Sequence, residues 1–193
     1  MRSVDPVNGL LFIRHARTDL AGTFCGHSDP PLNTTGQQQV ADLIARLTAE
    51  HFDAIFCSDL RRAVDTAEPL AQAFKAPLTP KQGLREIHFG DWEGLTWAEI
   101  EQRDADYARR WSETFPALTA PGGESFADFE RRVMTEITPL LSLAESQRIA
   151  VVTHGGVMRT VLRSLHDCSE QEAWEKTNSY CCTFSYPINL ESL

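Results

Sequence analysis

Apolar residues fall along this chain in two alternating patterns, unbroken short runs and one-sided stripes. Leu10–Ile13 is wholly apolar and stops abruptly at Arg14-His15. A run of this kind predicts a strand covered on both faces, as in a parallel sheet lying between helices. Ala54–Cys57 and Arg148–Thr153 repeat the pattern and end in Ser58-Asp59 and His154-Gly155-Gly156. Cys181–Tyr186 has mixed alternation and reads as a strand at a sheet edge, with Cys181 and Cys182 inside it.

The stripes predict helices. Thr34 and Gln37 have capping-box spacing ahead of Val40, Leu43, Ile44 and Leu47. Leu60, Ala63, Val64, Ala67 and Leu70 form the next stripe, with Ser58 or Asp59 as its cap and Pro69 as a kink or division. Helices are also expected over Thr96–Trp111, over Glu124–Ser142, and after His154, where Val157, Val161, Leu162 and Leu165 face inward. Loops are expected at Leu20–Asn33, through Pro77 and Pro80, over Leu84–Gly94, and at Pro116–Gly123. The order predicts an α/β fold, a three-layer, mostly parallel open sheet flanked by helices. A length of 193 residues suits one domain spanning 1–193.

Sheets of this class carry their chemistry just past the carboxyl ends of strands. Three such ends supply Arg14 and His15, Arg61 and Arg62, and His154 with its two glycines. The net charge is −9, from 18 Lys+Arg against 27 Asp+Glu, with no basic run. That balance argues against nucleic acid and anionic membranes as partners, and it makes arginines gathered at strand ends stand out. No apolar segment has the length of a signal peptide or membrane span. Five cysteines without Cys-x-x-Cys spacing read as reduced thiols of a cytoplasmic protein.

Two histidines, several arginines and a carboxylic acid suit phosphoryl transfer. The guanidinium fork matches phosphate oxygens and stabilises charge in the transition state. Neutral imidazole is a nucleophile toward phosphorus, and neighbouring guanidinium charges keep it neutral. A proton donor for the leaving alkoxide is needed as well, and Glu86 or Glu93, beside Phe89 and Trp92, can serve. Rival chemistries fail on spacing. Six residues beyond Cys57 lies Ala63, so there is no Cys-x5-Arg loop. Asp19-Leu20-Ala21 lacks the second acid of an aspartyl-phosphate site, and Gly-x-Ser-x-Gly, Gly-x4-Gly-Lys and His-Glu-x-x-His are absent. His27, His51, His88 and His166 show no metal-ligand spacing, and His27 and His88 remain pocket-lining candidates.

Four motifs then occur in one order. Arg14-His15-Ala16-Arg17-Thr18, Ser58-Asp59-Leu60-Arg61-Arg62-Ala63 with Thr66-Ala67, Leu84-Arg85-Glu86 with Phe89–Gly94, and Val152–Gly156 together resemble the signature of the histidine phosphatase (phosphoglycerate mutase-like) superfamily. The resemblance implies His15 as the phosphorylated nucleophile, Arg14 and Arg62 as the phosphate clamp, His154 as its completion and Glu86 as general acid. It implies a phosphoglycerate mutase-like fold and no metal or organic cofactor. Gly155, Cys25 and Gly26 are further substrate-binding candidates. Three positions depart from the pattern: Ala16 stands for a glycine, Arg17 for a common acid, and Ala21 for an asparagine ligand of phosphate.

Within the superfamily, Phe89–Gly94 and Gly122-Gly123-Glu124-Ser125-Phe126 are most similar to bacterial α-ribazole-5′-phosphate phosphatases of cobalamin biosynthesis. The expected activity is therefore hydrolysis of a small phosphate ester through phosphohistidine. The competing readings are a broad-specificity sugar-phosphate phosphatase, a phosphoglycerate mutase (with Arg109-Arg110 as a carboxylate site), and a non-catalytic module binding phospho-ligands. By base rate, a homodimer is admissible.

Overall fold

The computed structural model describes residues 8–186. Five strands form one sheet: β1 (Gly9–Arg14), β2 (Ala54–Ser58), β3 (Leu78–Lys81), β4 (Arg148–Thr153) and β5 (Thr183–Tyr186). Their spatial order is β3-β2-β4-β1-β5, with β5 antiparallel to β1 and every other pairing parallel. The helices are α1 (Thr34–Arg46), α2 (Arg61–Phe74), α3 (Trp97–Arg103), α4 (Ala105–Thr114), α5 (Phe126–Leu143), α6 (Gly155–His166) and α7 (Glu170–Thr177).

Alternate residues of a strand face opposite sides of the sheet, and here both sides are covered. Leu11, Ile13, Ile55, Cys57, Ala150 and Val152 pack with α1 and α2 on one face. Leu10, Phe12, Ile149 and Val151 pack with α5 and α6 on the other. This is why Leu10–Ile13 carries no polar residue. A third cluster, around Trp92, Ile100, Ala108 and Ala120, covers the sheet's rim with aromatic rings from the Phe24 and Phe89 loops and from α3 and α4.

Register sets the site. Arg14 pairs with Thr153, and Val152 also pairs with Cys57 across β2. The residues following all three strands therefore leave the sheet along one rim. The His15 N–H donates to the Thr153 carbonyl at 2.8 Å, which carries the ladder one residue further and sets His15 beside His154.

Several expected elements differ in detail. The stretch through Pro77 and Pro80 contains β3, where Pro80 is tolerated because an edge strand bonds on one side only. The single helix expected over Thr96–Trp111 is two: Asp104 ends α3, and its carboxylate accepts the Tyr107 N–H to start α4. The α1 cap is Asn33, which accepts from the Gly36 N–H, rather than Thr34. Helix α2 begins after Leu60 without a cap from its own side chain, and the Arg61 N–H is taken by Asp29 from a distant loop. Ser58 instead accepts the Leu60 N–H. Pro69 and Pro139 lie within α2 and α5 without ending them. Helix α5 starts at Phe126 behind a Ser125 cap. Cys181 and Cys182 precede β5, and Cys181 adopts φ 54°, which a strand excludes. Helix α7 was not expected, although Ser169 and Glu172 form a complete capping box.

The first turn of α1 packs against the loop after β1. A Cβ at Gly36 would run into the Arg17 backbone carbonyl, which also accepts the Asn33 N–H. Alanine normally favours a helix over glycine by about 1 kcal/mol. At position 36 the collision reverses the sign: Gly36→Ala should lower the unfolding free energy measured by urea titration, by the about 1–3 kcal/mol typical of overpacking.

Candidate active site

His15 and His154 leave adjacent strands with ring centroids 5.1 Å apart. Both are buried. His15 Nδ1 lies 2.7 Å from the Ala16 carbonyl. A carbonyl only accepts, so Nδ1 carries the proton and the Nε2 lone pair is bare. Burial holds the His15 pKa well below the ordinary imidazole range, and the charges of Arg62 and Arg14 push it the same way. Burial, then Arg62 and His15, depress His154 likewise. Two neutral rings therefore face each other between two cations.

The cations are held by carbonyl oxygens. Arg62 is fully buried on the first turn of α2. Its Nη1 donates to Ser28 O at 2.6 Å, and its Nη2 donates to Gly26 O at 2.7 Å and Cys25 O at 3.1 Å. Arg14 Nη1 donates to Thr177 O at 2.9 Å and also to Asn178 O, and its guanidinium carbon sits 4.5 Å from the Tyr180 ring centre. Arg61 points away and meets Asp65 at 3.6 Å. Among the described residues, Arg14 Nε, Arg62 Nε and both ring nitrogens of His154 are buried with no partner. Buried donors are rarely left unpaired, and a cluster of them marks a place for a ligand with several acceptors. A tetrahedral oxyanion such as phosphate matches that demand.

Glu86 stands at the same rim. Its carboxylate accepts the Ile87 N–H at 3.0 Å and the Gly156 N–H at 2.9 Å, which ties it to the first turn of α6. A Cβ on Gly156 would occupy the carboxylate's place. Glu93 has another task. It accepts from the N–H groups of Gly26, His27, Ser28 and Phe89 and from the Ser28 hydroxyl, at 2.6–3.1 Å. Burial raises its pKa, but these hydrogen bonds outweigh burial and the net shift is downward. Glu93 thus stays ionised and braces the loop whose carbonyls hold Arg62.

The remaining predicted residues divide. Gly155 abuts Arg14: a Cβ there would lie 3.6 Å from the guanidinium carbon. Cys25 lines the cavity in front of His15. The Gly26 N–H is already taken by Glu93, so it offers the cavity no donor, and its carbonyl serves Arg62. The His27 and His88 rings lie 4.8 Å apart at a tilt of 47°, with His27 Nε2 on the Glu86 carbonyl at 3.0 Å, and neither lines that cavity. Ala16 is not among the residues with positive φ, so a side chain fits there, and its N–H donates to the Thr66 hydroxyl at 3.0 Å. Arg17, Arg109 and Arg110 are exposed. The cavity, of about 280 Å³, also takes Tyr180 and Arg159 into its wall. Arg159 had a weak signal in its place one turn into the helix after His154; Tyr180 had none. Among the described residues no group of three or more His, Cys, Asp or Glu side chains could hold a metal ion.

A sheet of this order, with paired imidazoles and guanidiniums at its carboxyl rim, defines a phosphoryl-handling α/β protein. The family model for the histidine phosphatase superfamily (branch 1) matches residues 10–189, and this chain belongs to that superfamily. It is 30% identical over 182 residues to the adenosylcobalamin/alpha-ribazole phosphatase of Escherichia coli K12, covering 93% of this chain and 90% of that protein. It is 36% identical over 157 residues to the bifunctional protein Rv2228c of Mycobacterium tuberculosis. That match takes in 80% of this chain but only 43% of the mycobacterial protein's length. The crystal structure of the alpha-ribazole phosphatase from Shigella flexneri superposes with a TM-score of 0.84 at 29% identity, covering 94% of this chain and 91% of that one.

The depressed imidazoles make stability depend on pH. Below about pH 6.5 the unfolded chain takes up protons at positions 15 and 154 that the folded protein refuses. Their contribution is complete above that pH and is lost as pH falls toward the folded values. Urea midpoints measured from pH 7.5 down to 5 should therefore decline. In His154→Gln the decline should be shallower, and an equal slope in the variant would contradict the assignment.

Proposed function

We propose that this protein hydrolyses phosphate monoesters through a phosphohistidine at His15. The observation that carries the reading is the set of unpartnered buried nitrogens of Arg14, Arg62 and His154 around the bare Nε2 of His15.

In this reading the guanidiniums and the His154 ring bind the non-bridging phosphoryl oxygens. His15 Nε2 attacks phosphorus, the P–N bond forms and the P–O bond to the alcohol breaks. Glu86 gives its proton to the leaving alkoxide. It then takes a proton from water, whose oxygen attacks phosphorus as the P–N bond breaks. Inorganic phosphate and neutral His15 result. The arginines meet the developing charge without reorganising, because carbonyls already fix them. The carbonyl on Nδ1 keeps the ring in the attacking tautomer.

The substrate proposed is α-ribazole 5′-phosphate, which places the protein in cobalamin biosynthesis in the cytoplasm. The names of the Escherichia coli and Shigella relatives support this. Among the described residues, no helix is long and apolar enough to cross a membrane. The partner in this reading is a small phosphate ester.

His15→Ala should lower kcat/KM for phosphate release by about 10³-fold or more, as removal of a nucleophile does. Brief incubation of the wild type with radiolabelled substrate should leave acid-labile, base-stable label on the protein. Glu86→Gln should lose about 10²–10⁴-fold on alkyl phosphates and far less on 4-nitrophenyl phosphate, whose leaving group needs no proton. Equal losses on both would remove Glu86 as the acid. In a screen of sugar, nucleotide, phosphoserine and α-ribazole phosphates, the last should have the highest kcat/KM. With 3-phosphoglycerate, isomerisation outrunning phosphate release would favour a mutase.

A further inference from the structure

The wall of the cavity in front of His15 contains an arginine that the chemistry above leaves idle. Arg159 lies half-buried on α6 and makes no hydrogen bond or ion pair among the described residues. The two clamp arginines differ from it. Arg62 gives two of its nitrogens to three carbonyls, and Arg14 gives Nη1 to two. Arg163, one turn further along α6, pairs with Glu170 at 3.0 Å and lies over the Phe126 ring. A guanidinium carries five N–H donors in a fixed fork and accepts nothing. At Arg159 all five are left to solvent or a ligand.

The position makes that freedom unfavourable. Side chains on a helix lean toward its N-terminus, and Arg159 Nη1 lies 3.3 Å from the place a Cβ on Gly155 would take. Arg14 Nε, buried and unmatched, stands 3.6 Å from the same place. Two cations thus flank one gap, which stays open because residue 155 is glycine. They gather at the N-terminal end of α6, where the macrodipole also disfavours positive charge. Burial chiefly lowers the Arg14 pKa, and the Arg159 charge pushes it the same way. Among the described residues, Glu86 is the one acid lining this cavity, and its carboxylate is committed to the Ile87 and Gly156 N–H groups. Like charges in a half-buried place are relieved by an anion between them.

We propose that Arg159 is a further catalytic residue, its guanidinium binding a non-bridging oxygen of the same phosphoryl group that Arg14 and Arg62 hold. The inference rests on the phosphomonoesterase reading and adds a contact to it. Pairing with a second anion on the leaving alcohol is the rival task, and the direction of the side chain disfavours it. The charged end of Arg159 lies toward Gly155 and Arg14, away from the second, ring-lined cavity of about 210 Å³ that its stem also borders. Unlike the clamp arginines, Arg159 is not fixed by carbonyls, so closing on phosphate costs it rotamer freedom. Its contact is shared by bound ester, transition state and product phosphate. Such uniform binding acts on KM more than on kcat.

The test reads binding apart from turnover. Inorganic phosphate, titrated calorimetrically into the whole protein, should bind Arg159→Gln about tenfold more weakly than wild type, as loss of one charge-assisted hydrogen bond predicts. KM for butyl phosphate should rise by about the same factor while kcat changes less than about threefold. Arg159→Lys, which keeps the charge but not the fork, should recover part of the loss. Arg163→Gln, on the same helix, should change neither quantity. Without phosphate the urea midpoint of Arg159→Gln should not fall, because the side chain has no partner to lose. Added phosphate should then raise the wild-type midpoint more than the variant's. Phosphate affinity and KM both unchanged in Arg159→Gln would overturn the proposal. So would a loss confined to esters with a second anion, such as phosphoserine, with inorganic phosphate and butyl phosphate bound as before. Weakened phosphate binding in Arg159→Gln, in a protein that hydrolyses neither butyl nor 4-nitrophenyl phosphate, would instead sink the phosphatase reading and leave the contact standing.

Discussion

The structure depends on keeping a charged arginine out of water. Arg62 has no exposed surface, and transferring an isolated guanidinium into a protein interior costs several kcal/mol unless its donors are matched. Three carbonyls from the Cys25–Ser28 loop match two of its nitrogens. Those carbonyls are aimed inward because the N–H groups of the same loop point the other way, onto Glu93. One carboxylate thus orients a loop, the loop orients a cation, and Arg62 Nε is left unmatched at the site. A site that already holds its donors in place need not rearrange as charge develops on a ligand.

The same economy governs the imidazoles. Two rings 5.1 Å apart, among guanidiniums, cannot both be protonated, and burial removes the water that would make it tolerable. Neutrality is therefore imposed by the surroundings rather than by a partner acid. The rings arrive together because β1 and β4 are in register up to Arg14 and Thr153, with one further hydrogen bond beyond. Helix α6 begins immediately after, and its Gly156 leaves room for the Glu86 carboxylate. Backbone pairing brings His15, His154, Glu86 and the two guanidiniums to one rim of the sheet.

Much of this was legible before any coordinates. The unbroken apolar runs reported strands buried on both faces, since a sheet covered by α1 and α2 on one side and α5 and α6 on the other leaves no polar position. Element boundaries were less legible. Pro77 and Pro80 suggested a loop, because a one-sided hydrogen-bond demand at an edge strand is invisible along the chain. Asp104 lies inside a continuous stripe, yet its carboxylate serves the next helix rather than the one it ends. The start of α2 carried no usable cap signal, since its donor is Asp29, remote in sequence.

By itself, the order of residues determined the α/β class and the arrival of Arg14, His15, Arg62 and His154 at strand ends, because period and strand termini are local properties. Choosing between Glu86 and Glu93 from the residues alone was out of reach, as both are acids in one glycine-rich loop. Tertiary contact separated their tasks: five donors converge on Glu93, whereas Glu86 is tied to α6 beside the histidines. Tyr180 likewise entered the picture only in three dimensions, since it matters through neighbours far away along the chain. Hydrogen-bond direction and shared cavities are properties of packed surfaces, and no spacing rule encodes them.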